Sequence, residues 1–213
     1  CPTVDHFNQS GMKELIEERR NSTERESGED FWWYTCINPQ NPYPSYHIDD
    51  NLISSRTMRW MQYDLGVSAT LFWNICYYRK YNFDKTTTDR NVWVDPLSWE
   101  GCNGDGQLVY PGSYYGLETP ISTLRLESIR EGNEDYEYLW MTERKIEEIN
   151  EKHNKNYNTD KILSKFYSRI YKGVISYTDV FVFSSVRGEL LDLLENLYND
   201  EVAAMAILDK LNS

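Results

Sequence analysis

Apolar positions gather into short, dense runs in the first third of the chain and into helical stripes in the last third. Residues Gln9 to Arg25 are polar and rich in Glu and Arg, which predicts an exposed helix broken by Gly28. Asp30-Phe31-Trp32-Trp33-Tyr34-Thr35-Cys36 then forms a run of strand-favouring residues. Both of its faces are largely apolar, the mark of a strand covered on two sides in a parallel sheet. Pro39, Pro42 and Pro44 exclude regular structure from the segment that follows. Asn51 to Leu65 has helical spacing, with Ile53, Arg56, Trp60 and Met61 near one face and Gly66 as its stop. Val67 to Cys76 is a second run that is apolar on both faces. Strand, helix and strand at this spacing predict a right-handed parallel crossover.

Periodicity then disappears from Tyr77 to Thr119, a segment holding Trp93, Asp95, Trp99, Asn103-Gly104-Asp105-Gly106 and Tyr110-Pro111-Gly112. Long loops inside compact domains are usually functional or disordered, and this one is too aromatic for disorder. It is the main candidate functional segment. Thr119-Pro120 reads as an N-cap with an N1 proline, opening a helix from Ile121 to Glu131 that Gly132 stops. Asn133 can cap a further helix carrying Tyr136, Leu139, Trp140, Ile146 and Ile149. After a polar loop beyond His153, two or three helices close the chain, with Val186, Leu190, Leu194 and Leu197 on one stripe.

Two strands cannot make a free-standing parallel sheet of ordinary size, and an eight-stranded barrel takes about 250 residues. The pattern therefore predicts an α/β fold, the C-terminal portion of a (β/α)8 TIM barrel followed by a helical tail. On this reading residues 1–150 supply the last βα units with the long 77–119 loop, and residues 151–213 form a helical extension. An independent α+β domain is the alternative.

Composition narrows the chemistry. At 213 residues and 40% apolar content the chain can close a sizeable core. Seven Trp and 17 Tyr supply rings with an apolar body and a polar edge, suited to a sugar as well as to a core. A net charge of −12 leaves no basic stripe for nucleic acid. No apolar run reaches membrane-spanning length. There is no signal-peptide pattern, although the chain opens with Cys1-Pro2 rather than Met. Cys1, Cys36, Cys76 and Cys102 are widely spaced, so neither zinc nor a disulfide framework is expected. Cys36 and Cys76 end apolar runs and read as small buried hydrophobes, which leaves the compartment open.

An ordered set of segments resembles a known family. Trp32-Trp33-Tyr34-Thr35-Cys36, Pro42-Tyr43-Pro44, Ile48-Asp49, Arg56 and Trp60 are followed by Leu71-Phe72-Trp73-Asn74. The set continues through Asn103-Gly104-Asp105-Gly106, Tyr110-Pro111-Gly112 and Arg125-Leu126-Glu127-Ser128-Ile129-Arg130 to Glu134-Asp135-Tyr136-Glu137-Tyr138-Leu139. Together these resemble the C-terminal catalytic-domain region of glycoside hydrolase family 123, over roughly residues 1 to 145. The resemblance implies a secreted-type barrel enzyme, a retaining β-N-acetylgalactosaminidase with no cofactor. It also implies substrate-assisted catalysis, in which the acetamide oxygen of the substrate replaces the enzyme nucleophile. The family's adjacent Asp-Glu pair, where Asp steadies the acetamide and Glu protonates the leaving oxygen, is expected upstream of Cys1. The partners expected are a glycan containing N-acetylhexosamine, and either the N-terminal part of the same protein or a second copy.

No catalytic residue is assigned within the chain. Glu29-Asp30 precedes its strand and so lies on the wrong end of a barrel, whose active sites occupy the C-terminal face. Asp49-Asp50 lies on the correct face, but acids before a helix usually cap it. Glu134-Asp135 opens a helix, where acids favour the dipole. Binding is assigned to Trp33, Tyr34, Trp73, Asn74, Asn103 and Asp105, at the strand ends and in the long loop. Alternation turns only one of Trp33 and Tyr34 toward the site, and only one of Trp73 and Asn74. The Asn103–Gly106 run lacks the remaining oxygen ligands of a calcium loop, and His6 and His47 stand alone. A non-catalytic carbohydrate-binding or accessory protein of the same fold is the competing reading, and a purely structural domain is the third.

Overall fold

The protein, described here from a computed structural model, is a mixed α/β structure whose described residues are 1–81, 84–99, 101–176 and 178–213. A 3-10 turn over Val4–Asn8 and helix α1 (Met12–Asn21) lead into strand β1 (Trp32–Thr35). Helix α2 (Leu52–Asp64) connects β1 to strand β2 (Ala69–Phe72), and the two strands pair in parallel with Trp33 opposite Thr70. Asn51 caps α2 by accepting from the Ile53 N–H, and Gly66 leaves the helix at φ +60°, the stop that the sequence pattern predicts. On the other edge of β1, Thr3 forms a parallel bridge to Tyr34, whose N–H donates to the Pro2 carbonyl at 3.0 Å. Three parallel segments thus lie side by side in chain order, with helices between them.

The expectation of two covered sheet faces holds on one face only. Trp33 and Thr35 are fully buried against the helices, and the Trp33 ring meets Phe7 edge-on at 5.3 Å. Trp32, Leu71 and Trp73 point the other way and remain 41–45% exposed. One layer of helices is present, and no described element covers the opposite face. β2 is also shorter than the run Val67 to Cys76 predicts. Past Phe72 the chain turns, with the Asn74 side chain accepting from the Cys76 N–H at 2.9 Å.

The segment from Tyr77 to Thr119 is built from small hairpins. Strands β3 (Arg79–Tyr81) and β4 (Thr87–Asp89) pair antiparallel, as do β5 (Leu97–Trp99) and β6 (Cys102–Asn103). Residues 82, 83 and 100 of that segment lie outside the described residues. Strand β7 (Val109–Tyr110) pairs with β8 (Ile121–Ser122), and a 3-10 turn over Gly112–Tyr115 lies between them. The helix expected from Ile121 is therefore a strand first. Thr123 provides the N-cap of helix α3, which runs unbroken over Leu124–His153 through Gly132 and Asn133.

Gly132 does not stop a helix; it admits one. A Cβ there would meet Arg59 Cγ at 2.7 Å and the Arg56 carbonyl oxygen at 3.1 Å. Glycine costs about 1 kcal/mol in a helix interior, and here that cost is offset by the close approach of α2 and α3, the most extensive helix pair among the described residues. Helix α4 (Thr159–Tyr167), the hairpin of β9 (Tyr171–Lys172) with β10 (Ile175–Ser176), and helices α5 (Val180–Asn199) and α6 (Glu201–Leu211) complete the chain. The α5 stripe Val186, Leu190, Leu194 and Leu197 is buried as expected, and its residues Val186, Leu190 and Leu197 share one core with Trp33, Met58, Trp60 and Leu139.

All four cysteines are free thiols. Cys102 is buried, but Cys36 is half-buried and Cys76 exposed, because both lie beyond the strands in the loops that follow. The buried-hydrophobe reading of Cys36 and Cys76 is corrected on that ground. No helix among the described residues is long and apolar enough to cross a membrane.

Candidate functional site

The C-terminal ends of β1 and β2 open into two loops, and the Asn103–Gly106 turn ties them together. The Ile48 N–H donates to the Asn103 carbonyl at 2.9 Å, and the Asn103 side chain donates to Asp49 Oδ1 at 3.0 Å. From the other loop, the Tyr77 N–H donates to the Gly106 carbonyl at 2.8 Å. Cys76 and Gln107 form an antiparallel bridge beside it. Gly104 and Gly106 sit at φ +76° and +75°, the left-handed region that glycine adopts without strain. Both also need to lack a side chain. A Cβ on Gly104 would strike the Arg125 guanidinium at 2.7 Å, and one on Gly106 would strike Trp73 Cζ2 at 2.7 Å.

Arg125 holds this turn from beneath. Its guanidinium donates to the carbonyls of Tyr46, Gly104 and Gln107, which belong to two different loops. Sequence reasoning missed this role, although a signal was present. Arg125 is the second residue of α3, where a cation opposes the helix dipole, so its placement needs another reason. His47, which the sequence left without support, is buried and donates from Nε2 to the Cys36 carbonyl at 2.8 Å.

The six binding candidates separate in space. Trp33 lies in the core, its indole N–H spent on Thr70 Oγ1 at 2.7 Å, so at the end of β1 the half-buried Tyr34 shares the open face instead. Trp73 stands on that face at the end of β2 and donates from Nε1 to Asp105 Oδ2 at 3.0 Å. Asn74 turns back on its own loop, and Asn103 is occupied by Asp49. Asp105 is wholly enclosed, and its Oδ1 has no hydrogen-bond partner among the described residues. Trp73, Asn103 and Asp105 therefore form one cluster, with Tyr34 on the adjoining strand. A separate cavity of about 440 Å³ lies along the same loops, lined by His47, Ile48, Trp93, Tyr110, Leu124 and Arg125.

The acidic pairs are engaged elsewhere. Glu29 accepts from Arg19, and Asp30 accepts from the Phe31 N–H at 2.8 Å. Asp49 serves Asn103, and Asp50 accepts from Ser45 Oγ. Glu134 accepts from Arg130, while Asp135 is buried among Arg56, Trp60 and Arg187.

Burial pushes the Asp105 carboxyl above its ordinary value, and the Trp73 N–H, His47, the Gly106 N–H and Arg125 offset this only in part. Its proton is then held more tightly in the folded than in the unfolded state. Stability is consequently lost as pH rises from the unfolded value, near 3.8, through the raised folded one. Asp105→Asn can still accept from the indole and carries no such penalty. Its stability relative to the wild type is expected to rise with pH across this window in urea titrations at successive pH values. A difference that does not change with pH would show that the carboxyl titrates normally.

A family model described as glycoside hydrolase 123, catalytic domain, matches residues 3–142. No curated protein matches the chain.

Proposed function

The chain belongs to glycoside hydrolase family 123, and from that premise we propose that it forms part of a retaining β-N-acetylgalactosaminidase that uses substrate-assisted catalysis. A carbohydrate substrate follows from the family itself. The finer reading, an N-acetylgalactosaminide, rests on the resemblance of the ordered motifs. On this proposal residues 1–150 contribute the last βα units of a (β/α)8 barrel, and residues 151–213 a helical extension that backs them. The parallel segments at Thr3, β1 and β2, in chain order with helices on one side, support such an arrangement. The face carrying Trp32, Tyr34, Leu71 and Trp73 would be the barrel interior, covered by the N-terminal part of the same protein or by a second copy.

The observation that carries the proposal is the placement of Trp73 and the Asn103–Gly106 turn. They lie at the C-terminal end of parallel strands, where barrel enzymes hold their substrates. Glu29-Asp30, Asp49-Asp50 and Glu134-Asp135 are each committed to other partners, so the adjacent Asp-Glu pair is proposed to lie outside these residues. Tyr34, Trp73, Asn103 and Asp105 would then shape the binding wall, with Asn74 at its rim.

A chromogenic N-acetyl-β-galactosaminide tests this directly. The complete protein is expected to release the chromophore with retention of configuration, and residues 1–213 alone to release none. Turnover by the 213-residue chain that disappears on changing Asp49 or Asp50 would move the chemistry into this chain.

A further inference from the structure

Trp73 combines high exposure with tight fixation. Its side chain is 41% exposed on the open sheet face, yet three neighbours hold it. The indole N–H is bound to Asp105 at 3.0 Å, and the Gly106 backbone presses on the ring edge with no room for a Cβ. The Tyr77 ring lies 4.9 Å away, tilted by 58°. An exposed indole could bond water at no structural cost. Enclosing a carboxylate to hold it is unfavourable, since burying an ion costs several kcal/mol even after relaxation. Asp105 is fully enclosed and makes its side-chain hydrogen bond to this indole, so a sugar cannot reach it directly. What the arrangement achieves is a flat aromatic surface at a set angle. Such a surface can receive the C–H face of a pyranose without first being ordered.

We propose that Asp105 is a positioning residue that locks the Trp73 ring as a stacking platform for a pyranose of the glycan, with Gly106 setting the clearance beneath it. The inference rests on the glycosidase reading above and assigns Asp105 a role through Trp73 rather than on the sugar.

The test is a cycle of Trp73→Phe, Asp105→Ala and the double variant in the complete protein, with Asp105→Asn as the conservative control. KM and kcat are measured on the chromogenic N-acetyl-β-galactosaminide, and N-acetylgalactosamine binding is followed by calorimetry. Asp105→Ala is expected to raise KM and the sugar Kd about five- to tenfold, the scale of a lost aromatic contact, with a smaller change in kcat. Asp105→Asn, whose amide oxygen still accepts from the indole, should recover most of the loss. In the Trp73→Phe background, which has no indole N–H, Asp105→Ala should add nothing. An equal loss in both backgrounds would overturn the positioning role, as would unchanged KM and Kd in Asp105→Ala. If the wild type turns over no substrate, the glycosidase reading falls while calorimetry still judges the platform. Sugar binding that is absent, or unaltered by Trp73→Ala, overturns it.

Discussion

Replacing Asp135 by alanine is expected to lower folding stability by about 3–5 kcal/mol, the usual cost of stripping one partner from a buried ion pair. The carboxylate is completely buried between α2, α3 and α5. Arg56 reaches it from α2 through Nε at 2.7 Å and Nη2 at 3.0 Å, and Arg187 from α5 through Nε at 2.6 Å. The Trp60 indole N–H adds a third donor residue at 3.2 Å. Charge balance closes through Glu131, 3.3 Å from the second amino group of Arg56. Removing Asp135 leaves two cations facing each other over a core of Trp60 and Phe183. Both arginine side chains keep some solvent access, at 18% and 26% exposure, so the lower half of the range is favoured. Asp135→Asn keeps the shape and one acceptor, and should lose less. Denaturant unfolding of the variants checks the order. A loss under 1 kcal/mol for Asp135→Ala would mean that the cluster contributes little net stability.

Arg125→Ala is expected to cost about 2–3 kcal/mol, on the scale of hydrogen bonds from a charged donor to buried acceptors, and to release the Asn103–Gly106 turn. Three carbonyls from two loops lose their shared donor at once, and a Cβ stub cannot replace it. Burial already pulls the Arg125 guanidinium below its ordinary value, so the carbonyls must hold the cation well to keep it. Arg125→Lys keeps the charge, but a single ammonium lacks the planar fork that spans Tyr46, Gly104 and Gln107. It should recover less than half of the loss. Hydrogen exchange at the amides of Ile48, Tyr77 and Gly104 reads the release locally, because they donate to the carbonyls of Asn103, Gly106 and Pro96 respectively. Unchanged protection in Arg125→Ala would assign the turn's geometry to its glycines alone.

Both clusters pass through the ordered motifs, and they divide those motifs by role. Arg56, Trp60 and Asp135 fasten helices, whereas Trp73, Asn103, Gly104, Asp105, Gly106 and Arg125 shape the loops at the strand ends. Sequence reasoning picked out Trp73 as a neighbour of a site from its place at a strand end, and Asp105 from its place in the long loop. It had no means of seeing that one donates to the other. Nothing local in Trp73-Asn74 or in Asn103–Gly106 says that an indole and a carboxylate 32 positions apart will pair.

What the sequence determined by itself was local. The alternation of strand, helix and strand from Asp30 to Cys76, the exit at Gly66 and the α5 stripe were all legible. Each depends on neighbours within a turn or two, so propensity and periodicity suffice. Only the tertiary structure decided that Gly132 belongs inside a helix, since its reason lies on α2, and that Ile121–Ser122 pairs as a strand with Val109–Tyr110. It alone separated Trp33 from Tyr34, because the period of a strand sets which residues share a face but not which face the helices cover. The open face follows from the same physics. A run apolar on both sides specifies that two layers will cover it, and the described residues supply one.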